Sequence, residues 1–401
     1  MKINEVFYLI RGKVTSNEDL YSHVNELIDG ERYPVYSSKT ANKGLFGYLP
    51  FAMYPERLYE VEEDEKVNYV KDIDPKDFES ITWTTDGVYA GTMFVRKGQY
   101  STTNVCGTMV LREEYKDKVL LDWFVKKYQG KVYKEKKSQD TNGKVMSMTL
   151  GNIEVDIPSV EKQEEELISI NKLLKIKSNL TRVLEEIDTT LSKIIQFNDV
   201  TEYKVGEVFL MGTGRRVISS DIYNNLLNYE EGNKEIIPIV SSGAITNKGI
   251  MGYGDIAWLG SIVRGRKVIN TWDTWKNQAG GNYIINTPCV TWNTDGSNVG
   301  TLYYRDYKFY PTDHCGVLIP KDEYQDKINL KFFAYIQQYH FKKERGRANL
   351  HLSEMAPITF ELPDIDVQND AFSKIEKLEK YKNKIENIIS NINDILEKDI
   401  Q

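Results

Sequence analysis

Two stretches of this sequence place side chains that could do chemistry at matching positions: an aspartate, an arginine, threonines and a cysteine. Trp83–Gly107 is WTTDGVYAGTMFVRKGQYSTTNVCG, and Trp292–Gly316 is WNTDGSNVGTLYYRDYKFYPTDHCG. They align without a gap and are identical at 10 of 25 positions. Because acids, bases and thiols of this kind build covalent catalytic sites, the first interpretation is a duplicated active site.

Methyltransferase and motor motifs are incomplete or absent in the sequence. Phe209–Gly214 (FLMGTG) is similar to a glycine-rich cofactor loop, but its spacing is one residue off, and its counterpart FYLIRG keeps one of the two glycines. The chain has no Asn-Pro-Pro-Tyr or Asp-Pro-Pro-Tyr segment and no G-x-x-x-x-G-K-[ST] loop. FLMGTG is therefore predicted to be a turn.

Metal chemistry is also disfavoured. Asp64–Lys66 has the local spacing of a nuclease motif, but it lies in an acidic run without an upstream Pro-Asp partner. The four histidines are scattered, and His314 beside Cys315 is not a chelating spacing for zinc.

Residues that both copies share, such as Trp83 and Trp292, are interpreted as a structural frame of aromatic core, turns and buried thiols instead of a duplicated active site.

The composition limits the class of protein. The 401 residues carry a formal net charge of −7, which argues against a generic, charge-driven coat for nucleic acid, so any contact with DNA must be local. Three cysteines are too few for a disulfide framework, and no apolar run approaches the roughly 18 to 20 residues that span a bilayer. We expect a soluble, cytoplasmic protein.

The repeat extends well beyond the opening stretch. KINEVFYLIRGK from Lys2 aligns with KVGEVFLMGTGR from Lys204, and YPVYSSKTANKGLFGY aligns with IPIVSSGAITNKGIMGY. Each copy closes on a strand-like run that ends at Pro158 or Pro363. The chain is thus one unit written twice, with loop insertions between the copies.

A helical pattern follows each closing proline. Apolar residues recur at heptad-like spacings, and charged residues flank them. The first set is Leu167, Ile170, Leu173, Leu180, Leu184, Ile187, Leu191 and Ile194, and the second is Ile375, Leu378, Ile385, Ile388, Ile392 and Ile395. Such a stripe needs a partner, and the nearest is the other helix.

The predicted architecture is a mixed α/β (α+β) protein with a pseudo-two-fold internal repeat. Two tandem domains, residues 1–157 and 200–363, alternate with two long helices, residues 158–199 and 364–401. A pseudo-two-fold axis sets the helices antiparallel, as a coiled coil. The first helix, at roughly 35 residues, is about 52 Å long and would hold the domains apart.

In this ordered set of motifs, the chain resembles the specificity subunit of type I restriction-modification systems over essentially its full length. The matching pieces are the SSK and SSG turns at Ser37 and Ser241, the TWTTDG and TWNTDG blocks, the IPSVEKQ junction and the helix pair. The second junction, LPDIDVQ, keeps Pro363 and Gln368 but has Val367 where the first has Lys162.

The resemblance implies a non-catalytic subunit that recognises a bipartite, gapped site in double-stranded DNA. Each target-recognition domain would read one half-site, and the helices would set the gap and dock adenine-N6 methyltransferase subunits. Motor-nuclease subunits would join for cleavage. It also implies that this chain binds no cofactor, and that S-adenosylmethionine, ATP and Mg belong to the partner subunits.

Two alternatives stay open at this stage. One is the specificity subunit of a related type II system with a fused methyltransferase-nuclease, which the neighbouring reading frames would identify. The other is a coiled-coil scaffold whose domains bind protein. The scaffold predicts no sequence-specific DNA shift when a methyltransferase subunit is added.

Basic and amide side chains in loops are the candidate DNA contacts. Phosphate contacts are expected from clusters in corresponding loops or beside glycines, namely Lys134, Lys136, Lys137, Arg215, Arg216, Lys342, Lys343, Arg345 and Arg347. Base contacts need bidentate side chains, and the candidates are Lys39, Asn42, Lys43, Asn247, Lys248, Arg264 and Arg266. Because both copies share the Asn-Lys pairs, contact with the DNA backbone is the alternative for them.

Insertion of one helical turn between Glu161 and Ile195 is expected to lengthen the unread gap, since each added residue extends a helix by about 1.5 Å. Modification mapping of DNA from cells that express the chain with its methyltransferase would measure the gap. An unchanged gap would show that this helix does not set the distance between half-sites.

Overall fold

The computed structural model describes residues 1–13, 30–38, 41–59, 67–136, 143–227, 235–242, 247–262, 271, 283–343 and 349–398. The chain divides into two compact units, residues 1–183 with 384–401 and residues 184–383. Each unit contains one copy of the sequence repeat.

The first copy is built from short elements that precede one long helix. They are α1 (Ile3–Val6), β1 (Phe7–Ile10), β2 (Tyr33–Tyr36), β3 (Leu45–Leu49), β4 (Glu79–Thr84), β5 (Met93–Lys97), β6 (Ser101–Thr102), β7 (Cys106–Leu111), α2 (Leu121–Lys134), α3 (Ser147–Gly151) and the long helix α4 (Val160–Ile194).

The second copy repeats this order with four additional elements. It consists of β8 (Thr201–Lys204), α5 (Val205–Val208), β9 (Phe209–Thr213), α6 (Ser219–Leu227), β10 (Ile236–Val240), β11 (Ile250–Asp255), α7 (Ile256–Gly260), β12 (Cys289–Asn293), β13 (Leu302–Arg305), β14 (Tyr310–Pro311), β15 (Cys315–Pro320), α8 (Leu330–Lys343), α9 (Leu352–Met355), β16 (Thr359–Leu362) and the long helix α10 (Ile365–Lys398). The additional elements are β8, α6, α7 and β16.

Strand pairing confirms the internal repeat. In the first unit an antiparallel sheet has the order β1-β7-β4-β5, and a second sheet has the order β3-β2-β6, in which β2 and β6 are parallel. In the second unit the corresponding orders are β9-β15-β12-β13 and β11-β10-β14. Equivalent strands therefore occupy equivalent places, and the mixed α/β fold predicted from the sequence is present.

One helix packs on the antiparallel sheet of each unit and forms the main core. In the first unit, α2 buries Phe124, Tyr128 and Val132. These three lie four residues apart and so share one helix face. Phe7 of β1 lies 4.6 Å from the Phe124 ring, centroid to centroid. The second unit repeats the contact, with 5.1 Å between the rings of Phe209 and Phe333.

The long helices carry a heptad pattern of buried and half-buried side chains. On α4 these positions are 170, 173, 177, 180, 184, 187, 191 and 194, and on α10 they are 375, 378, 382, 385, 389, 392 and 396. Within the second unit, the Lys382 ammonium of α10 lies 2.6 Å from the Asp188 carboxylate of α4. No helix in the described part of the chain is long and apolar enough to cross a membrane.

The predicted stripe on α10 is wrong at two positions. Ile388 and Ile395 are 47% and 46% exposed, whereas the neighbouring Ile389 and Leu396 are half-buried. The cause is a pair of adjacent apolar residues at each of these places, Ile388 with Ile389 and Ile395 with Leu396. From Ile385 a step of three reaches Ile388 and a step of four reaches Ile389, and only the step of four continues the row of buried positions.

A buried glutamine joins each long helix to the domain before it. The Gln163 carboxamide accepts from the Leu120 N–H at 2.8 Å and donates to the Lys118 and Pro158 carbonyls at 2.6 and 2.8 Å. Its side chain is fully buried. The first turn of α4 is therefore fixed to the loop before α2 through backbone groups.

The second unit contains the same connection. Gln368 accepts from the Asn329 N–H at 2.9 Å and donates to the Lys327 and Pro363 carbonyls at 3.0 and 2.8 Å. The prolines and glutamines that identified the two junctions in the sequence are thus parts of one contact.

Gln163→Leu keeps most of the side-chain volume but leaves the Leu120 N–H and two carbonyls without their partner. We expect a loss of about 2 to 4 kcal/mol in the free energy of unfolding of the first unit, measured by urea titration or hydrogen exchange. Gln196→Leu is the matched control because Gln196 is exposed, and it should change stability by less than about 0.5 kcal/mol. Equal stability of the two variants would contradict the importance of this contact.

Candidate nucleic-acid interface

A tryptophan on the central strand of each antiparallel sheet packs on a glycine of the neighbouring strand. Trp83 pairs with Gly107 and Trp292 with Gly316, and both indoles are fully buried. A Cβ atom at Gly107 would lie 2.2 Å from the Trp83 ring, and one at Gly316 would lie 2.3 Å from Trp292. These shared residues belong to the frame, as the sequence comparison predicts.

The indole N–H groups connect this frame to the chain beyond the basic loops. Trp83 Nε1 donates to the Val145 carbonyl at 3.0 Å, and Trp292 Nε1 donates to the Leu350 carbonyl at 2.8 Å. The Val145 and Leu350 N–H groups bond to Thr85 and Thr294 of the two TDG turns, at 2.9 and 2.6 Å.

The basic loops themselves lie mostly outside the described residues. The structure does not describe residues 137–142 and 344–348, which include the predicted phosphate contacts Lys137, Arg345 and Arg347. The residues directly after these loops are fixed, because Lys144 pairs with Asp86 and Asn349 with Asp295 across the TDG turns. In each unit, a residue just after the predicted phosphate-binding loop therefore pairs with the aspartate of the TDG turn.

The two Asn-Lys-Gly turns have unusual backbone conformations. Asn42 and Lys43 have φ values of 49° and 53°, and Lys248 has a φ of 52°. This left-handed region is unfavourable for residues other than glycine. The side chains of Asn42, Lys43, Asn247 and Lys248 are all exposed. Lysines are thus held outward in a strained turn in both copies.

A buried arginine holds each of these turns from below. Arg96 Nη2 donates to the Lys43 carbonyl at 2.6 Å, and Arg305 Nη2 donates to the Lys248 carbonyl, also at 2.6 Å. The Nε atoms donate to Thr82 and Thr291 at 2.8 and 2.9 Å.

The two arginines are only 5% and 1% exposed, and burial lowers the pKa of Arg96. The shared stretches place this arginine among the frame residues, but its contact with the turn is not predicted from them. The signal was available, because the arginine is the one basic residue identical in the two aligned stretches.

The other predicted cations differ in position. Lys134 and Arg216 are exposed, and Arg215 is half-buried with its guanidinium 5.2 Å from the Tyr283 ring centroid. Lys342 and Lys343 end helix α8, and their side chains lie outside the described part. Lys39, Arg264 and Arg266 lie outside the described residues altogether, as does the nuclease-like Asp64–Lys66.

The expectation that Lys136 contacts phosphate is wrong. Its side chain is 5% exposed, its ammonium donates to the Val88 carbonyl at 2.9 Å, and it lies 4.7 Å from the Tyr133 ring centroid. Because the charge is used inside the protein, it is not presented to a ligand.

The glycine-rich FLMGTG segment differs from the predicted turn. Its first five residues form strand β9, which pairs with β15. A Cβ atom at Gly214 would lie 1.5 Å from the Pro311 carbonyl oxygen. The glycine therefore serves the close approach of two backbone segments rather than a cofactor.

One cluster has the side chains of a hydrolase but the wrong order. Ser242 Oγ donates to Asp295 Oδ1 at 2.8 Å, and His314 Nδ1 contacts the other carboxylate oxygen. The aspartate thus lies between serine and histidine, so the imidazole does not take up the serine proton.

The shared cysteines are unsuited to nucleophilic chemistry. Burial raises the pKa of the Cys106 and Cys315 thiols to about 12. They are therefore protonated near neutral pH. The described residues contain no group of three acidic, histidine or cysteine side chains placed to hold a metal ion.

Known proteins resemble the chain in sequence and in fold. A family model described as the type I restriction modification DNA specificity domain matches residues 1–188 and 198–394. A type I specificity subunit N-terminus from Mycoplasma pneumoniae is 34% identical over 169 residues, which are 41% of this chain and 71% of that protein. A second specificity subunit of that organism is 21% identical over 390 residues, 94% of this chain and 88% of that protein.

A solved structure shows the same fold. The S subunit of a type I restriction-modification system from M. genitalium aligns with 100% of this chain and 94% of its own, with a TM-score of 0.52 and 13% identity. The family model matches twice, once on each copy of the repeat. The chain belongs to the type I restriction-modification DNA specificity family.

Proposed function

We propose that the chain is the DNA-recognition subunit of a type I restriction-modification complex, without catalytic activity of its own, and that it acts in the cytoplasm. Each domain recognises one half of a bipartite, gapped site. The observation that carries the proposal is the pair of outward-held Asn-Lys-Gly turns, one on each copy of a shared frame.

Two related but different domains suit an asymmetric DNA site. The Trp-Gly contacts, the TDG turns and the buried arginines are the same in both copies, so they carry no information that distinguishes two half-sites. Base discrimination must come from side chains in which the copies differ. The shared turns are better suited to fixing the DNA backbone, and the divergent Arg264 and Arg266 stay candidates for base contacts.

The long helices are proposed to pair as an antiparallel coiled coil that sets the gap. Each unit contains the start of one long helix and the end of the other, as an antiparallel pair requires. The heptad pattern and the Asp188–Lys382 ion pair support the same arrangement. The 35 residues of α4 span about 52 Å, which limits the gap to roughly 15 base pairs less the thickness of the domains.

The catalytic steps are assigned to partner subunits. Adenine-N6 methyltransferase subunits would dock on the helices and supply S-adenosylmethionine chemistry, and motor-nuclease subunits would use ATP and Mg. This chain would contribute double-stranded DNA recognition and the spacing of the two sites.

Exchange of residues 1–157 for the first domain of another family member is expected to change one half-site only, because the second domain keeps its own loops. Methylation mapping in cells that express the chimaera with its methyltransferase measures the outcome. A change in both half-sites would contradict independent recognition by the two domains, and the chimaera with residues 200–363 exchanged is the reciprocal control.

Lys43→Ala and Lys248→Ala are each expected to weaken DNA binding for all sequences and to reduce the slope of log K against log salt by about 1, as loss of one phosphate contact requires. The measurement is a salt titration of binding by the complex with its methyltransferase. Lys136→Met is the matched control. This variant should lower thermal stability and leave the salt slope unchanged, because the Lys136 ammonium of the wild type is buried and donates to the Val88 carbonyl. Equal slopes in all variants would contradict phosphate contact by the turns.

A further inference from the structure

Among the described residues, the buried arginine of each unit, Arg96 or Arg305, has no carboxylate partner. A buried charge without a countercharge is costly, and single buried guanidinium groups are usually paired. Here the acceptors are neutral, a threonine hydroxyl and a lysine carbonyl in each copy.

The surroundings of the two arginines differ, but both keep the contacts with a threonine hydroxyl and a lysine carbonyl. Arg96 lies 3.5 Å from the centroid of the Tyr36 ring, whereas Arg305 donates to the Tyr307 hydroxyl at 2.5 Å. The threonine on the central strand and the carbonyl of the turn are retained in both units, with nearly equal distances. The link from strand to turn is therefore the constant feature of the site.

The link has two physical effects on the turn. The guanidinium fork fixes the carbonyl of a lysine in the left-handed conformation, so the turn is ordered before any ligand arrives. It also places a permanent positive charge, weakly screened by water, directly beneath an exposed lysine. A preorganised turn above a fixed cation favours an anion on its outer side.

We propose that Arg96 and Arg305 are positioning residues that hold the turns at Lys43 and Lys248 in register for one DNA phosphate each. The inference rests on the proposed function, because the anion is the backbone of the DNA site. The arginines touch no base. They act on half-site recognition through the turn.

The test uses the full chain in complex with its methyltransferase and a duplex that carries the site found by methylation mapping. Arg96→Lys keeps the charge but cannot bond to Thr82 and to the Lys43 carbonyl with the same fork. Unlike Lys43→Ala, which removes one charge from a turn that stays in place, this change releases the turn itself and with it the register of the first domain on the DNA backbone. It is therefore expected to weaken binding by about tenfold and to relax discrimination at the first half-site, while the second half-site is read as before. Arg305→Lys should have the mirror-image effect, so each arginine is the internal control for the other.

A half-buried arginine, Arg112, provides the matched control variant. Arg112 Nε donates to the Asn4 carbonyl at 3.0 Å, and its guanidinium lies 4.3 Å from the Tyr8 ring centroid, so its contacts are of the same kind but involve no turn. Arg112→Lys should leave both half-sites unchanged. Thermal unfolding of every variant separates a loss of stability from a loss of discrimination.

The outcomes separate this inference from the proposed function. If the wild-type complex recognises two half-sites and Arg96→Lys recognises both normally, the inference is overturned and the proposed function stands. Equal loss at both half-sites also overturns it, because that result indicates general destabilisation. A wild-type complex that recognises no two-part site overturns the proposed function and the inference together.

A second variant covers the case in which Arg96→Lys does not fold. Thr82→Val removes the acceptor of the Arg96 Nε atom and keeps the side-chain shape. It should relax the first half-site alone, and an unchanged first half-site in this variant overturns the inference.

Discussion

The contact on which the rest of the structure depends is the buried glutamine at the start of each long helix. A helix of 35 residues can set a distance only if its end is fixed to the body it positions. Gln163 and Gln368 achieve this with three hydrogen bonds each, all to backbone groups of the preceding domain. Because the amide is buried and fully bonded, rotation of the domain about the helix end would leave several polar groups without partners.

In each domain, the frame residues of the core are shared between the two copies, whereas the loops differ. The Trp-Gly contacts leave no room for a side chain at Gly107 or Gly316, and the buried arginines connect the central strand to the turn in both copies. Loops can change on such a frame without disturbing its core. Under the proposed function, this division would let one fold serve two different half-sites.

Much of this organisation could be predicted from the sequence, because the two copies of the repeat can be aligned with each other. The copies gave the frame residues, the junction prolines and the long helices. Burial of single side chains and contacts between residues far apart in the sequence could not be predicted. Two adjacent isoleucines led to the choice of Ile388 instead of Ile389 for the predicted stripe, and Lys136 is buried instead of exposed. The shared arginine was visible as an identity, but its hydrogen bond to a turn 53 residues away was not.

The ion pair between Asp188 and Lys382 has a further consequence for how the gap between half-sites could vary. The heptad positions are apolar apart from Lys177 and Lys382, so a slip of the helices by one or two residues would place the Lys382 ammonium against leucine or isoleucine side chains. Only a shift by a whole heptad restores the packing, and it moves one helix by about 10.5 Å, the length of about three base pairs. Under the proposed pairing, gap length is quantised, and intermediate spacings are not accessible by sliding.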